Sequence, residues 1–425
     1  MNYKKLSAGE QKTFGLHLTY SIIEGLIRGV LIMNEFVLIK SLAGSNYQIG
    51  FLLQFQHVVL IFSVFMNEFL GRTTRKRKML NSVAILTRLP LFALAFFPAT
   101  SENIPAIYHI IFLGVFLLYY LSNPIVFPTI NLLLKNSYSH NNFGKYYSYA
   151  TSINKIVMLG ATFGFGLWLD HDPYIYRWIY PVLGLLGILS IVLLTRIDYT
   201  PKVHPKKLSI WVSVRRSLSR MKRIILNNKP YRDFEIGFMF YGFAFMTSAA
   251  VLTIFFEREL HLNYTSIATY KNASNILAIM TLPFFGQLLN RVDPRRFAAL
   301  TFGSLLLFIA FLAATDFWPD WVQFGNITLH YSLSIAYVFY GIFAATMPLM
   351  WNIGSAYFAK SQYAGDYQAI HLSLTGLRAL FAPLAGVLAY EVVGYFYTFV
   401  MGIVALLIGI AIMYYSMWKR KKAVH

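Results

Sequence analysis

The sequence predicts an all-α membrane protein with twelve transmembrane helices, arranged as two six-helix repeats. Three observations lead to this prediction: a very hydrophobic composition, twelve apolar segments of membrane-spanning length, and an internal repeat. Of the 425 residues, 57% are hydrophobic and only 13% are charged. An ordinary soluble domain carries about 25% charged residues. The composition therefore indicates a chain that is mostly surrounded by lipid.

Apolar runs of about 18 residues or more predict the membrane spans. Six lie before and six after a polar connection, at residues 13–38, 48–70, 79–98, 105–133, 146–169, 176–195, 233–256, 264–289, 297–315, 328–357, 366–390 and 393–417. The chain thus divides into an N-terminal half at 1–195, a cytoplasmic linker at 196–232 and a C-terminal half at 233–425. The linker is basic, and we expect it to form short amphipathic helices at the membrane surface.

The two halves resemble each other in sequence. Residues 131–170 align with 352–391 without a gap at an offset of 221, and residues 67–77 align with 286–296 at an offset of 219. Identities are few, but both matches fall in hydrophobic sequence and at nearly the same offset. Duplicated halves related by an axis along the membrane normal are a transporter architecture.

The charges predict the orientation of the chain. There are 37 Lys and Arg residues against 17 Asp and Glu, a formal net charge of +20. With both termini cytoplasmic, 29 basic residues lie in cytoplasmic segments, 5 lie within spans and 3 lie outside, namely Lys40, Arg177 and Arg258. This bias is the positive-inside signature of a multi-pass protein of the cytoplasmic, or inner, membrane. The positive charge is therefore expected to face lipid headgroups, and we do not expect nucleic acid as a partner.

Two six-helix halves joined by a basic loop resemble the major facilitator superfamily. That family carries the motif Gly-x-x-x-Asp-Arg-x-Gly-Arg-Arg between spans two and three, with an echo between spans eight and nine. The resemblance assigns the basic residues of the two matching loops to a cytoplasmic gate: Arg72, Arg75, Arg291, Arg295 and Arg296. Both copies depart from the motif at its carboxylate, which is Gly71 in the first and Asn290 in the second. The charge chemistry of the gate therefore stays open.

The resemblance also implies a mechanism. In the family the two halves rock around a midplane site, in a cavity lined mainly by spans one, four, seven and ten. It implies a monomeric secondary transporter of a small molecule that is driven by a proton or other ion gradient and needs no cofactor. Glycines in span five, at Gly160, Gly164 and Gly166, are similar to the glycine-rich fifth helix of antiporters. Close packing of helices explains the same glycines, and we favour it.

Span one carries an acid and a base at mid-membrane depth. Glu24 comes twelve residues after Lys12, which is about 18 Å along a helix. Arg28 follows one turn later on the same face. The pair could simply neutralise itself. Acids in span one of the family often couple protons, however, and we predict that Glu24 is a proton-binding carboxylate and that Arg28 binds substrate.

Further basic residues within the spans predict an anionic substrate. Lys155 in span five and Arg378 in span eleven lie at nearly equivalent repeat positions, and with Arg28 they would form a positive pocket for a carboxylate or phosphate. Lys271 is a further candidate, although it could extend its side chain to the outer surface. Tyr241 and Trp351 are predicted to line the cavity, and His57 and His371 to join a proton relay. Each cation could instead be satisfied by backbone carbonyls.

The most specific function that the sequence predicts is proton-coupled transport of a small organic anion. The alternative is proton-antiport efflux of metabolites or amphipathic drugs, which would favour an apolar cavity with fewer fixed cations. An intramembrane enzyme is a remote alternative, since the chain has no cysteine and no His-Glu-x-x-His motif. We therefore predict neither catalytic nor metal-binding residues. A receptor that transports nothing is equally remote.

Overall fold

The computed structural model describes residues 7–62, 66, 69–70, 73, 75–198, 209–289, 291–359 and 364–422. Nearly all of the described chain is helical, and it forms two compact units. The first unit contains Met1–Gly44 and Phe65–Ile210, and the second contains Ser45–Val64 and Trp211–His425.

The first unit is built from one short and six longer helices among its described residues. They are α1 (Ala8–Leu31), α2 (Asn34–Phe36), α4 (Lys76–Arg88), α5 (Ala106–Leu121), α6 (Asn123–Ser137), α7 (His140–His171) and α8 (Tyr176–Leu194), where α3 belongs to the second unit. A π-helical segment, Val37–Ser41, follows α2. A capping box opens α1, because the hydroxyl of Ser7 accepts the Glu10 N–H and the Glu10 carboxylate accepts the Ser7 N–H.

The second unit holds α3 and the remaining elements. They are α3 (Asn46–Val58), α9 (Ile210–Asn227), α10 (Lys229–Ile254), α11 (Tyr264–Leu289), α12 (Pro294–Ala313), β1 (Trp321–Phe324), β2 (Ile327–His330), α13 (Tyr331–Ile353), α14 (Ala364–Ala379) and α15 (Ala382–Lys422). The two strands form an antiparallel hairpin in which Trp321 pairs with His330 and Phe324 with Ile327. The sequence did not predict this hairpin, which joins α12 to α13.

Two irregularities in the helices have local causes. Pro90 lies at the start of the 3-10 segment Leu89–Phe96 that follows α4, because proline offers no N–H to the α-helical hydrogen bond. Gly394 interrupts α15 with φ of +77°, a conformation that glycine adopts most easily. This break lies at the start of predicted span twelve, and α15 covers the end of predicted span eleven as well as span twelve.

Close backbone contact joins α1 to α7 in the first unit. A Cβ atom added at Gly29 would lie 2.5 Å from the carbonyl oxygen of Met158 and 2.6 Å from Cβ of Ala161. One added at Gly25 would meet the Asn154 carbonyl even more closely. This close contact therefore depends on the glycines of α1 and not on Gly160 or Gly164 of α7, where an added Cβ atom would meet nothing within 4 Å.

Helix α3 packs within the second unit, although it belongs to the first half of the sequence. Its Gly50 faces Leu384, its Gln54 amide donates to the Leu380 carbonyl, and its Asn46 amide donates to the Glu391 carboxylate. The predicted halves at 1–195 and 233–425 follow the repeat in the sequence. The compact units follow spatial contacts, and by these contacts α3 belongs with the C-terminal half.

The fold class agrees with the prediction. Among the described residues, eight helical segments are long and apolar enough to cross a membrane, judged by length and composition. One of them, Asp366–Lys419, covers two predicted spans. The predicted spans 13–38, 48–70 and 264–289 coincide with α1, α3 and α11. Of these, α1 carries several charges, α3 is short, and α11 is rich in Ser, Thr and Asn.

Candidate functional site

A polar cavity of about 260 Å³ opens in the first unit, between α1, α6 and α7. Its lining combines one acid, one arginine, one histidine, hydroxyl and amide groups, and a few apolar side chains. The lining residues are His17, Tyr20, Ser21, Glu24, Arg28, Phe127, Ile130, Asn131, Leu134, Tyr147, Thr151 and Asn154. Hydropathy alone would not have shown that so many polar groups share one cavity.

Glu24 and Arg28 face the cavity together. The Arg28 Nε lies 3.9 Å from the Glu24 carboxylate, a distance that allows attraction but no direct hydrogen bond. The Glu24 side chain is only 7% exposed, whereas that of Arg28 is 48% exposed. The Arg28 guanidinium also lies over the Phe127 ring, 5.3 Å from its centroid. Arg28 therefore keeps most of its hydrogen-bonding capacity directed at the cavity.

Hydrogen bonds hold the surrounding walls in position. The Asn154 amide of α7 donates to the Ser21 carbonyl of α1 over 2.7 Å, directly beside the close approach at Gly25. The His17 ring lies 3.2 Å from the Tyr138 hydroxyl through Nδ1, which leaves Nε2 as its second hydrogen-bonding atom. The position of the α1 acid and base is thus fixed by α7.

The other predicted substrate cation of this unit, Lys155, lies outside the cavity lining. It is half-buried and follows Asn154 in α7, so its side chain leaves the helix in a different direction. Among the predicted residues, the structure therefore brings Glu24 and Arg28 together in the first unit.

A second polar cluster lies inside the second unit, on α10, α13 and α14. His371 Nδ1 lies 3.1 Å from both carboxylate oxygens of Glu235, and the two side chains are almost fully buried. The rings of Phe238 and Trp351 contact the His371 ring edge to face, at 5.0 and 5.1 Å between centroids. The predicted residues His371 and Trp351 thus lie side by side.

Arg378 is buried in the same unit, with 2% exposure. One Nη donates to the Phe238 carbonyl, and the other lies 3.4 Å from the Thr375 hydroxyl. Its guanidinium also lies over the Tyr241 ring, at 5.8 Å, and fills the space beside Gly242. In this structure Arg378 therefore contacts a backbone carbonyl and an aromatic ring, as in the alternative that the sequence left open, while its buried Nε has no hydrogen-bond partner among the described residues.

The remaining predicted residues of this unit are more separate. His57 in α3 contacts the Leu53 carbonyl at 3.4 Å and experiences the charge of Arg378. Lys271 is half-buried in α11, where its carbonyl accepts hydrogen bonds from Ser274 and Asn275. Tyr241 stacks flat on Phe302, with 4.8 Å between ring centroids.

The gate residues separate into one buried arginine and several exposed ones. Arg295 is buried and holds the Asp293 carboxylate through two nitrogens, at 2.9 and 3.0 Å. It also donates to the carbonyl and hydroxyl of Ser416 in α15. The other described gate residues are exposed, namely Arg75, Arg291 and Arg296. Arg72 lies outside the described residues.

Two acids of this unit were missed by sequence reasoning. Glu235, the seventh residue of α10, is 4% exposed and pairs with His371. Asp293 supplies a carboxylate partner for the gate arginine, three positions after the Asn290 that replaces the motif carboxylate. The sequence could have indicated this pairing, because Asp293 lies in the same loop as Arg295 and only two positions before it.

Comparisons with known proteins agree with the fold. Several solved transporter structures have the same fold at low sequence identity. A mutant of the nucleoside transporter NupG matches with a TM-score of 0.72 and 13% identity, over 95% of this chain and 99% of that one. A peptide-binding transporter of the POT family matches at 0.68 and 11% identity, over 95% and 96%. The xylose transporter XylE from E. coli matches at 0.60 and 13% identity, over 93% and 94%.

The sequence itself matches a family model over most of its length. The model of the Major Facilitator Superfamily covers residues 14–360. The comparison with curated proteins gives no match. Because the family match spans far more than half of the chain, the chain belongs to the Major Facilitator Superfamily and is a transporter, not an enzyme.

Proposed function

We propose that the protein is a secondary active transporter that couples proton movement to the transport of a small organic anion with a carboxylate or phosphate group. The observation that carries the proposal is the pair of Glu24 and Arg28 in the cavity of the first unit. A charged side chain near the bilayer centre costs about 2.5–3.5 kcal/mol on insertion scales. Two such charges on one cavity wall are best explained by a role in transport.

The geometry supports a simple coupling of proton and anion. When Glu24 is ionised, its carboxylate compensates the charge of Arg28, and an anion entering the cavity is repelled by Glu24. When Glu24 is protonated, Arg28 is left without its anionic neighbour and can bind a carboxylate or phosphate through two nitrogens. The anion and the proton are therefore expected to bind cooperatively, and each raises the affinity for the other by the same factor.

The rest of the lining supports an organic ligand of modest size. Hydroxyl and amide groups, at Ser21, Asn131 and Thr151 among others, offer hydrogen bonds to a polar body, while the Phe127 ring offers an apolar contact. A cavity of about 260 Å³ fits a small metabolite. Lys155, Lys271, Arg378, Tyr241 and Trp351 remain proposed substrate contacts, and His57 and His371 proposed proton carriers, in other states of the transport cycle.

The cellular arrangement is part of the proposal. The excess of basic residues in alternate loops supports a location in the cytoplasmic membrane with both termini in the cytoplasm. We propose that the protein acts as a monomer. The driving force would be an ion gradient, without a cofactor.

A ligand screen by thermal stability tests the proposal. The purified protein is heated with a panel of organic anions, neutral sugars and amphipathic cations at pH 5.5 and 7.5, because a ligand that binds the folded state raises its stability. We expect a carboxylate or phosphate ester to stabilise the protein, and more strongly at pH 5.5. Arg28→Gln should remove this stabilisation, while Lys135→Gln, an equal charge change at an exposed position of α6, should retain it.

The same screen separates the proposal from its rival. Stabilisation by apolar or cationic compounds alone would favour efflux of amphipathic compounds and contradict the anion assignment. In Glu24→Gln the anion should stabilise equally at both pH values, because the amide imitates the protonated acid. An unchanged pH dependence in that variant would contradict the role of Glu24.

A further inference from the structure

Helix α9 is both strongly basic and amphipathic. It carries five Lys and Arg residues and no Asp or Glu, namely Arg215, Arg216, Arg220, Lys222 and Arg223. Its buried side includes Ser213 and Met221, which lie two turns apart. The rest of the helix surface is exposed, and the order of apolar and basic side chains on it indicates what kind of ligand it binds.

Two contacts fix α9 at the end of the membrane-spanning helices of its unit. The Asn228 side chain, directly after α9, donates to the Phe358 carbonyl at 3.1 Å and to the Tyr367 hydroxyl at 2.9 Å. The Arg220 guanidinium lies 3.4 Å from the carboxylate of Asp366, in the first turn of α14. Helix α9 therefore lies beside the first turns of α10 and α14, where we expect the lipid headgroups.

One exposed face alternates apolar and basic side chains. Trp211, Arg215, Leu218 and Lys222 follow each other at spacings of four, three and four, so they form a single stripe along the helix. Trp211 is 74% exposed and Leu218 54%, and both cations are exposed as well. Among the described residues no carboxylate lies within 4 Å of either cation of this stripe.

This stripe has the chemistry of a lipid headgroup site. Tryptophan and leucine favour the boundary between headgroups and acyl chains, and basic residues beside them attract anionic lipids. We propose that α9 binds anionic phospholipids, with the lipid phosphates held by Arg215 and Lys222 and with Trp211 and Leu218 inserted at the acyl boundary. Of the other three basic residues, Arg220 pairs with Asp366, while Arg216 and Arg223 lie on a separate side of the helix, which the proposed orientation turns away from the lipid.

The absence of cysteine from the chain gives a direct test. Ser219→Cys places one labelling site on the exposed surface next to the stripe. The full-length protein, labelled there with an environment-sensitive fluorophore in neutral detergent, is titrated with dioctanoyl phosphatidylglycerol, with dioctanoyl phosphatidylcholine, and with inorganic phosphate. We expect a saturable response to phosphatidylglycerol alone.

Two double variants that each remove two positive charges then show which side of α9 binds the lipid. A basic residue at a membrane surface is worth about fivefold in affinity for anionic lipid, so Arg215→Gln with Lys222→Gln should weaken binding about 25-fold. The matched pair Arg216→Gln with Arg223→Gln should weaken it less than about threefold, because these residues point away from the lipid. Arg215→Lys with Lys222→Arg should retain binding, which excludes misfolding as the cause.

Three results would overturn the proposal. An equal response to phosphatidylcholine would show that the helix responds to any amphiphile. A response to inorganic phosphate of the same affinity would show a soluble anion site instead. Equal losses in the two double variants would show that net charge, and not this stripe, attracts the lipid.

Discussion

Replacing Gly29 with alanine should weaken the contact between α1 and α7 and disturb the cavity that depends on it. The added methyl group would lie 2.5 Å from the Met158 carbonyl and 2.6 Å from the Ala161 side chain. Ordinary van der Waals contact begins near 3.4 Å, so the two helices would have to separate locally by about 1 Å. The hydrogen bond of 3.0 Å from the Thr162 hydroxyl to the Gly29 carbonyl would lengthen with them.

The expected cost follows from overpacking. Forcing a methyl group into a closely packed contact costs about 1–3 kcal/mol. In a unit of this size each kcal/mol lowers the melting temperature by about 2–4 °C, so Gly29→Ala should melt about 2–12 °C lower in detergent. Anion binding at Arg28, one residue before Gly29, should weaken in the same variant.

Gly15→Ala is the matched control in the same helix. A Cβ atom there meets nothing within 4 Å, so the substitution should stabilise the protein by about 0.4–1 kcal/mol through the unfolded chain. Thermal unfolding of both variants, followed by intrinsic fluorescence, gives the comparison. A Gly29→Ala protein that melts at or above the temperature of Gly15→Ala would refute the assigned packing.

Three further predictions follow from the described contacts. Arg28→Gln should weaken binding of the stabilising anion about 10- to 150-fold, the worth of a charge-assisted hydrogen bond, and isothermal calorimetry measures the loss. Glu235→Leu should destabilise the second unit by about 1–3 kcal/mol, because the buried His371 Nδ1 loses its hydrogen-bond partner; denaturant unfolding would show a loss below about 1 kcal/mol if the pair were unimportant. The hydrogen bond and charge of Lys12 hold the pKa of Asp198 in the folded protein below its ordinary value of 3.8. The contact therefore stabilises the folded state fully above pH 3.8, and this stabilisation is lost as the pH falls through the lower pKa of the folded state. Melting curves from pH 6 to pH 3 should therefore fall less steeply for Asp198→Asn than for the wild-type protein.

Much of the fold could be predicted because hydropathy and charge bias act locally along the chain. Twelve apolar segments and a basic linker are visible in the sequence, and the family match agrees with them. The same signals do not show which helices pack together. The position of α3 in the second unit depends on contacts such as Gly50 with Leu384, and no periodic pattern in α3 indicates its partner.

The candidate site was predictable where it depended on a single helix. Glu24 and Arg28 are one turn apart, so helical geometry alone places them on one face. The partners of Arg378 could not be predicted, because the Phe238 carbonyl and the Tyr241 ring reach it from another helix. Depth along a span also fails to show which face is buried, and for this reason the pairing of Glu235 with His371 was missed.

Transport by reconstituted vesicles tests the central claim most directly. Wild-type protein and Glu24→Gln are placed in liposomes, and uptake of the stabilising anion is measured with and without an inward proton gradient, beside exchange of internal for external anion. The account predicts that the gradient accelerates uptake by the wild-type protein, that Glu24→Gln loses this acceleration, and that the variant retains exchange. Gradient-driven uptake by Glu24→Gln at the wild-type rate would contradict proton coupling through the first unit.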